Sequence, residues 1–493
     1  MTEPLVWLIL LPLVWATGAF LFPARGAALA LVGTAVQLWL AFALAAKVGA
    51  HGTAQAGPDS LAGTVAHAVG GWGAPLGIDL AADGLAALLL ILTQLVALPL
   101  FLYARGYFAA KLPESPAFWP LAGFLLAGMN ALFLSADLFN LYVTLELVGL
   151  AAVGLVAMGG GAQQLAAALR YLLATLVGSG LYLLGVALIY GVYGTVSIAT
   201  LTPLVTADAP PAVWFAAGLL LVGLMIKTAL FPFHFWLPPA HGSAPAPVSA
   251  LLSALVVKAS FYLILRLWLG PLAPLAPLIA VVAWLPALLG SAAVLWGSWQ
   301  ALRAVRLKAL VAWSTVAQLG YLFLIFPLLG DDRLALHAGG MQVVAHGLAK
   351  AAMFAAVGVL IQVTGRDTVA DVAGVAARLP VTLFAFALAG ITLMGLPPSG
   401  GFLAKWLLID AALVRGRWDM VIVILAGGLL AAAYVFRVLR QAFLLPPSGE
   451  RRRVERRPVA ILEWTAFALA AASVLVGLRG MEIINLLDAG GGP

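Results

Sequence analysis

The chain has 493 residues, 64% of them hydrophobic and 9% charged, with no cysteine and a formal net charge of +7. Soluble proteins carry about 25% charged residues, so the composition excludes an ordinary globular enzyme, and the absent cysteines exclude disulfides, thiolate-held iron–sulfur clusters and Cys-type zinc sites. The positive charge reads as basic loops at a membrane surface and not as a nucleic-acid footprint.

Apolar runs of about 20 residues, each long enough to cross a bilayer, recur along the whole chain. They predict an all-α polytopic membrane protein with about fourteen transmembrane helices, at 4–23, 27–48, 79–103, 117–135, 138–158, 165–192, 212–231, 243–269, 273–298, 309–329, 336–363, 380–410, 419–445 and 459–478. A β-barrel would show short alternating segments instead. The first run has no basic residue ahead of it, as a cleaved signal peptide would, and is expected to be retained. Residues 49–78, rich in Gly and Ala and without Lys or Arg, are expected to form a surface cap without chemistry.

Fourteen spans put both termini on one face. One set of loops then carries Arg25, Arg105, Lys111, Arg303, Arg306, Lys308, Arg366, Arg378, Arg451, Arg452, Arg453, Arg456 and Arg457; the other carries Lys47, Arg333, Arg415, Arg417 and Arg479. The positive-inside rule places the richer set in the cytoplasm and both termini outside, in a bacterial-type inner membrane. The basic run at 450–457 reads as a topology determinant.

Two spans are interrupted. In 227–241 (KTALFPFHFWLPPAH), Pro232, Pro238 and Pro239 break the helix; in 394–405 (MGLPPSGGFLAK), Pro397, Pro398, Gly400 and Gly401 do so. Unwound backbone at membrane depth is tolerated where protein or water satisfies it, and paired interruptions mark transport sites. The breaks fall in the seventh and twelfth spans. Five helices apart is an odd number, so a tandem five-helix unit inserts its second copy upside down. The expected organisation is N-terminal helices 1–3 (1–116), a first repeat (117–270), an inverted second repeat (271–445), and a basic loop with the last helix (446–493).

Lys227, Lys258, Lys350 and Lys405 lie within apolar spans, with Glu146 as the carboxylate. Intramembrane ionisable residues are costly and default to functional candidates. A lysine can pass its proton on, whereas an arginine stays charged. Asp137 is expected to cap the fifth span at the membrane surface, with Glu146 about 13 Å deeper by helical rise. His346 and Lys350 are four apart and share a helical face. His234 and His241 flank the first break and either carry protons or bond freed backbone groups. Asp410 is either a terminal partner for Lys405 or a mark of the helix end. Arg266, Arg437 and Arg440 lie nearer span ends and are expected to snorkel. The histidines lack ligand-type spacing, so no metal is expected. With no phosphate loop or dinucleotide fingerprint, no cofactor is expected either.

These residues together resemble a known family. The stretches DLFNLYVTLE (137–146), Lys227 with FPFHFWLP (231–238), PAPVS (245–249) with Lys258, His346 with Lys350, and GLPPSGGF (395–402) with Lys405 are similar to those of the antiporter-like membrane subunits of respiratory complex I, membrane-bound hydrogenases and Mrp-type sodium/proton antiporters. The likeness covers spans 4–13. It implies fourteen helices with two inverted five-helix repeats, Glu146 modulating Lys227, a central Lys258, the His346–Lys350 pair, and Lys405 in the second broken helix. DLFNLY and YGVYGT (190–195) look most like the D-type subunits of Mrp antiporters. The resemblance implies a proton- or cation-translocating subunit of a hetero-oligomeric antiporter, working with other membrane subunits, H+ and Na+. The alternative is the proton-pumping arm of a complex I-like NADH-quinone oxidoreductase or membrane-bound hydrogenase. A redox driver would then lie in partner chains, since this one holds no thiolate cluster.

Overall fold

A computed structural model describes residues 4–53, 63–109, 115–275, 284–444 and 459–489. The chain is almost wholly helical. In order come α1 (Pro4–Leu21), α2 (Gly26–Thr53), α3 (Gly84–Phe108), α4 (Ser115–Leu134), α5 (Leu138–Ala157), α6 (Ala162–Tyr193), the short α7 (Ile198–Leu204), α8 (Pro211–Thr228), α9 (Leu237–Ser243), α10 (Ala246–Leu251), α11 (Val257–Leu269) and α12 (Trp284–Arg303). They are followed by α13 (Leu307–Phe323), α14 (Leu334–Thr364), α15 (Pro380–Met394), α16 (Gly400–Val414), α17 (Trp418–Phe443), α18 (Ala460–Leu475) and α19 (Gly480–Ala489). Among the described residues, eleven helices are long and apolar enough to cross a membrane, and α18 with α19 form a further pair bent by 71°.

Burial grades from the rim to the centre. The span Ala246–Leu269 is fully buried and Leu334–Thr364 is 94% buried, whereas α1, α2 and α17 are 39% buried. A helix that is apolar on all sides belongs in the middle of a bundle, and the middle is where Lys258 and Lys350 sit. Small residues let neighbours close in. A Cβ added at Gly223 of α8 would lie 2.4 Å from the Gly178 carbonyl oxygen of α6, so these backbones touch, as small-residue crossings allow. That contact brings Thr175 and Ser179 of α6 within reach of Lys227.

The loop between the second and third spans differs from expectation. Val65–Ala68 (β1) and Asp79–Ala82 (β2) pair antiparallel, with Val65 opposite Ala82 and Ala68 opposite Asp79. Val65-Ala-His-Ala68 is too short for its alternation to register as a strand signal. The start of the predicted ninth span falls in 276–283, and Lys111 and Arg451 to Arg457 also lie outside the described residues.

Candidate functional site

The first break forms where expected. α8 stops at Thr228, and Ala229 adopts a left-handed φ of 56°. A 3-10 turn at Phe233–Trp236 then leads into α9. Trp236 repairs the broken end: its Nε1 donates to the Ile226 carbonyl at 2.9 Å, and its ring stacks on Tyr171 at 4.2 Å. Lys227 occupies the last turn of α8, where helix-end carbonyls favour a cation. Its Nζ donates to Glu146 Oε1 at 3.1 Å and to Thr175 Oγ1 at 2.8 Å. The Ser179 hydroxyl donates to the same carboxylate oxygen. Glu146 is therefore held by one ammonium and one hydroxyl, half-way along α5.

A small cavity adjoins this pair on the side of α11. Thr175 and Lys227 line one wall, and Ala259 and Ser260 of α11 line the other; its ≈ 10 Å³ is about the room that one water needs. Between α10 and α11 the helix widens into a π-turn at Leu252–Val256. Such bulges disturb the regular ladder and recur at functional sites. Here Lys258 Nζ reaches back to the Ser253 carbonyl at 2.9 Å. Ser253 Oγ in turn meets Thr315 Oγ1 of α13 at 2.8 Å.

α13 then carries polar contacts from one lysine to the next. Thr315 Oγ1 donates to the Val311 carbonyl at 3.0 Å, which also accepts from Lys350 Nζ at 3.1 Å. Lys350 further donates to Ser314 Oγ. One turn along, Gln318 Nε2 donates to the Leu393 carbonyl at 3.1 Å, and Gln342 of α14 donates to Gln318 Oε1 at 3.1 Å. Leu393 O also accepts from Lys405 Nζ at 2.6 Å, and Met394 O accepts from it at 3.0 Å. These are the last carbonyls of α15, left open where Gly395 turns with φ 83°. Lys405 also lies 4.7 Å from the Tyr321 ring centroid, a cation–π contact.

Lys258, Lys350 and Lys405 thus meet carbonyls, hydroxyls and an aromatic face. Among the described residues the one carboxylate partner in the row is the half-buried Glu146. Backbone oxygens satisfy ammonium donors without cancelling their charge, so holding all four lysines protonated at once is costly. His346 is 1% exposed with both ring nitrogens unpartnered, close to Lys258 and Lys350. An unpaired buried imidazole can accept a proton or a bridging water.

The remaining candidates separate. Asp137 is the N-cap of α5, its carboxylate accepting from the Asn140 N–H at 2.7 Å. His241 is buried, near Lys350 and Lys258, with an unpartnered Nδ1. His234 packs edge-on to Trp313 at 5.4 Å and stacks on Phe231, its Nδ1 also unpartnered. The broken backbone at Ile226 is capped by Trp236, not by either histidine. Asp410 is exposed on α16, while Lys405 turns to backbone carbonyls; a five-residue offset puts the two side chains on different faces of the helix.

Arg266 corrects the expectation of snorkelling. Both its Nη atoms pair with Asp83, at 2.5 and 2.8 Å, and Nη2 also meets the Tyr262 hydroxyl at 2.8 Å. Arg437 is likewise engaged, with Nη1 donating to Leu302 O at 2.5 Å and Ala304 O at 2.8 Å. Sequence reading also passed over Thr175, Ser179, Ser314, Thr315, Gln318 and Gln342. The signal was present: Thr175 and Ser179 are four apart, as are Ser314 and Gln318, polar groups on one face of an apolar helix.

Comparison with known proteins agrees with this architecture. Residues 135–431 match the family model described as NADH:quinone oxidoreductase/Mrp antiporter, transmembrane. The chain is 35% identical over 439 residues to the N subunit of NADH-quinone oxidoreductase of Desulforudis audaxviator, covering 85% of each chain. It is 31% identical over 422 residues to the D-type subunit of the Na+/H+ antiporter of Bacillus subtilis, covering 85% of this chain and 83% of that one. Among solved structures it superposes on a chain of the Mrp complex from Dietzia sp. with a TM-score of 0.87 at 27% identity, over 100% of this chain and 97% of the other. A chain of respiratory complex I from Thermus thermophilus gives 0.74 at 27% identity, over 99% and 100%. This multi-pass membrane protein therefore belongs to the NADH:quinone oxidoreductase/Mrp antiporter family of membrane subunits.

Proposed function

We propose that the chain is a proton- or cation-translocating subunit of a multisubunit monovalent cation/proton antiporter, with protons relayed along Glu146, Lys227, Lys258, His346, Lys350 and Lys405. One observation carries this reading. Four buried lysines and one carboxylate lie across the bundle beside hydroxyls, amides and open carbonyls, with a cavity about the size of one water against Lys227. A purely structural core would have no use for unpaired ammoniums at these depths.

In this mechanism Glu146 stabilises a proton on Lys227. When that proton moves through the cavity to Lys258, the repulsion it brings drives the next transfer, by way of His346 to Lys350. The amides of Gln318 and Gln342 orient the last stretch, and Lys405 delivers the proton at the second break. His234, His241 and Asp137 are secondary candidates along this route. The breaks at Ala229 and Gly395 support reading 117–270 and 271–445 as two inverted repeats. The excess of basic residues on one set of loops supports both termini outside a bacterial-type inner membrane.

A second reading has a specific support. The oxidoreductase relative from Desulforudis shares 35% identity, somewhat more than the 31% of the antiporter relative from Bacillus. The same helices would then be the proton-pumping arm of a complex I-like oxidoreductase. Either way the chain works beside other membrane subunits. Extraction in mild detergent, with mass spectrometry of the co-purifying chains, separates the two. Small membrane proteins without cofactors support the antiporter; flavin or iron–sulfur subunits overturn it in favour of the redox pump.

A further inference from the structure

A groove on the outer face of α17 is independent of the relay. It has a volume of ≈ 720 Å³, within the range of small-molecule sites. Ala433, Phe436, Leu439 and Phe443 supply its apolar walls, and Arg437 and Arg440 stand along it toward the end of α17. Phe436 and Phe443 are 58% and 74% exposed. Arg437 and Arg440 are three apart and share a face of the helix.

Arg437 is fixed in place. Its Nη1 spans the Leu302 and Ala304 carbonyls at the end of α12, leaving the rest of a five-donor fork for another acceptor. The Arg440 side chain is exposed. The level in the membrane is marked by α12, where Arg303 lies over the Trp299 ring at 5.9 Å; tryptophan and snorkelling arginine concentrate at the headgroup layer.

From this arrangement we propose that the groove binds an anionic phospholipid, with an acyl chain against Phe436, Leu439 and Phe443 and the phosphate on Arg440 and the open side of Arg437. The charge pattern decides between occupants. An apolar helix laid over the groove would bury two guanidiniums without a counter-charge, which is costly. A lipid phosphate accepts their hydrogen bonds in a charge-assisted pair, and basic pockets beside membrane helices are recognised headgroup sites.

The test uses the chain in its native assembly, extracted in mild detergent and reconstituted in nanodiscs of phosphatidylcholine doped with phosphatidylglycerol. Native mass spectrometry then counts the lipid retained. The wild type is expected to retain phosphatidylglycerol over phosphatidylcholine. Arg440→Gln should weaken that retention about tenfold, the effect of losing a hydrogen bond to a charged group. Ala433→Phe, which fills the groove and leaves both arginines, should lower it as well. Equal retention in the wild type and both variants overturns the proposal. So does a photo-crosslinker at Phe436 that captures a partner subunit in the intact membrane, because the groove would then be a protein interface.

Discussion

The Asp83–Arg266 pair joins the start of α3 to the end of α11, and it gives a sharp test of how charge is balanced in this bundle. The side chains are 11% and 15% exposed and meet through two contacts of 2.5 and 2.8 Å. Asp83 also caps α3, its Oδ1 accepting from the Ala86 N–H at 2.9 Å. Asp83→Asn keeps a good cap, since Asn and Asp are about equal there, but leaves a buried guanidinium without its counter-charge. Breaking such a pair from one side costs about 3–5 kcal/mol. Asp83→Ala loses the cap too and should cost about 1 kcal/mol more. Arg266→Met also breaks the pair from one side, leaving the Asp83 carboxylate without its counter-charge, so it should cost a similar amount, and the double variant Asp83→Asn/Arg266→Met should recover most of the loss. Equilibrium unfolding by denaturing detergent in mixed micelles reads these differences. If Asp83→Asn changes stability by less than about 0.5 kcal/mol, or if the double variant costs as much as the two single variants added together, the pairing argument is wrong.

Three other variants probe the proposed relay. Ser253→Ala with Thr315→Val replaces both partners of a buried hydroxyl pair by apolar groups, which is close to neutral for folding; stability should hold while proton flux falls about tenfold, and unchanged flux removes this contact from the path. Lys227→Arg preserves the charge beside Glu146 but cannot release a proton, so the complex should assemble normally and transport at under about a tenth of the wild-type rate, measured with a pH-sensitive dye in vesicles. Gly395→Ala places a Cβ 2.6 Å from Lys405 Cδ at φ 83°; the strain of a left-handed alanine, about 1–2 kcal/mol, plus displacement of Lys405, should lower both thermal stability and flux, and a fully active variant would show that this turn does not position the lysine.

Much of this was legible in the sequence because the bilayer makes exceptions conspicuous. A lysine in an apolar run is visible without a structure, and so is a Pro-Pro beside it. That is why Lys227, Lys258, Lys350, Lys405 and both breaks could be placed. Asp137 followed from cap chemistry, and its contact with Asn140 matches. The connecting groups were harder. Ser314, Thr315 and Gln318 are common residues whose meaning depends on which helix they face, and periodicity does not tell one buried face from another when every face is buried. The π-turn before Lys258 has no composition signature in Leu252-Ser-Ala-Leu-Val256. Asp83 and Arg266 are 183 residues apart, so their pairing needed the tertiary fold, and Arg266 alone reads as an ordinary helix-end arginine.

The central claim is that Lys227 carries the transported proton within an antiporter. The most direct measurement is sodium-gradient-driven proton flux in proteoliposomes holding the complete assembly, compared between the wild type and Lys227→Ala, with assembly checked by subunit content. The account predicts flux in the wild type and none above background in the variant, at equal assembly. Full flux through an assembled Lys227→Ala complex would contradict it.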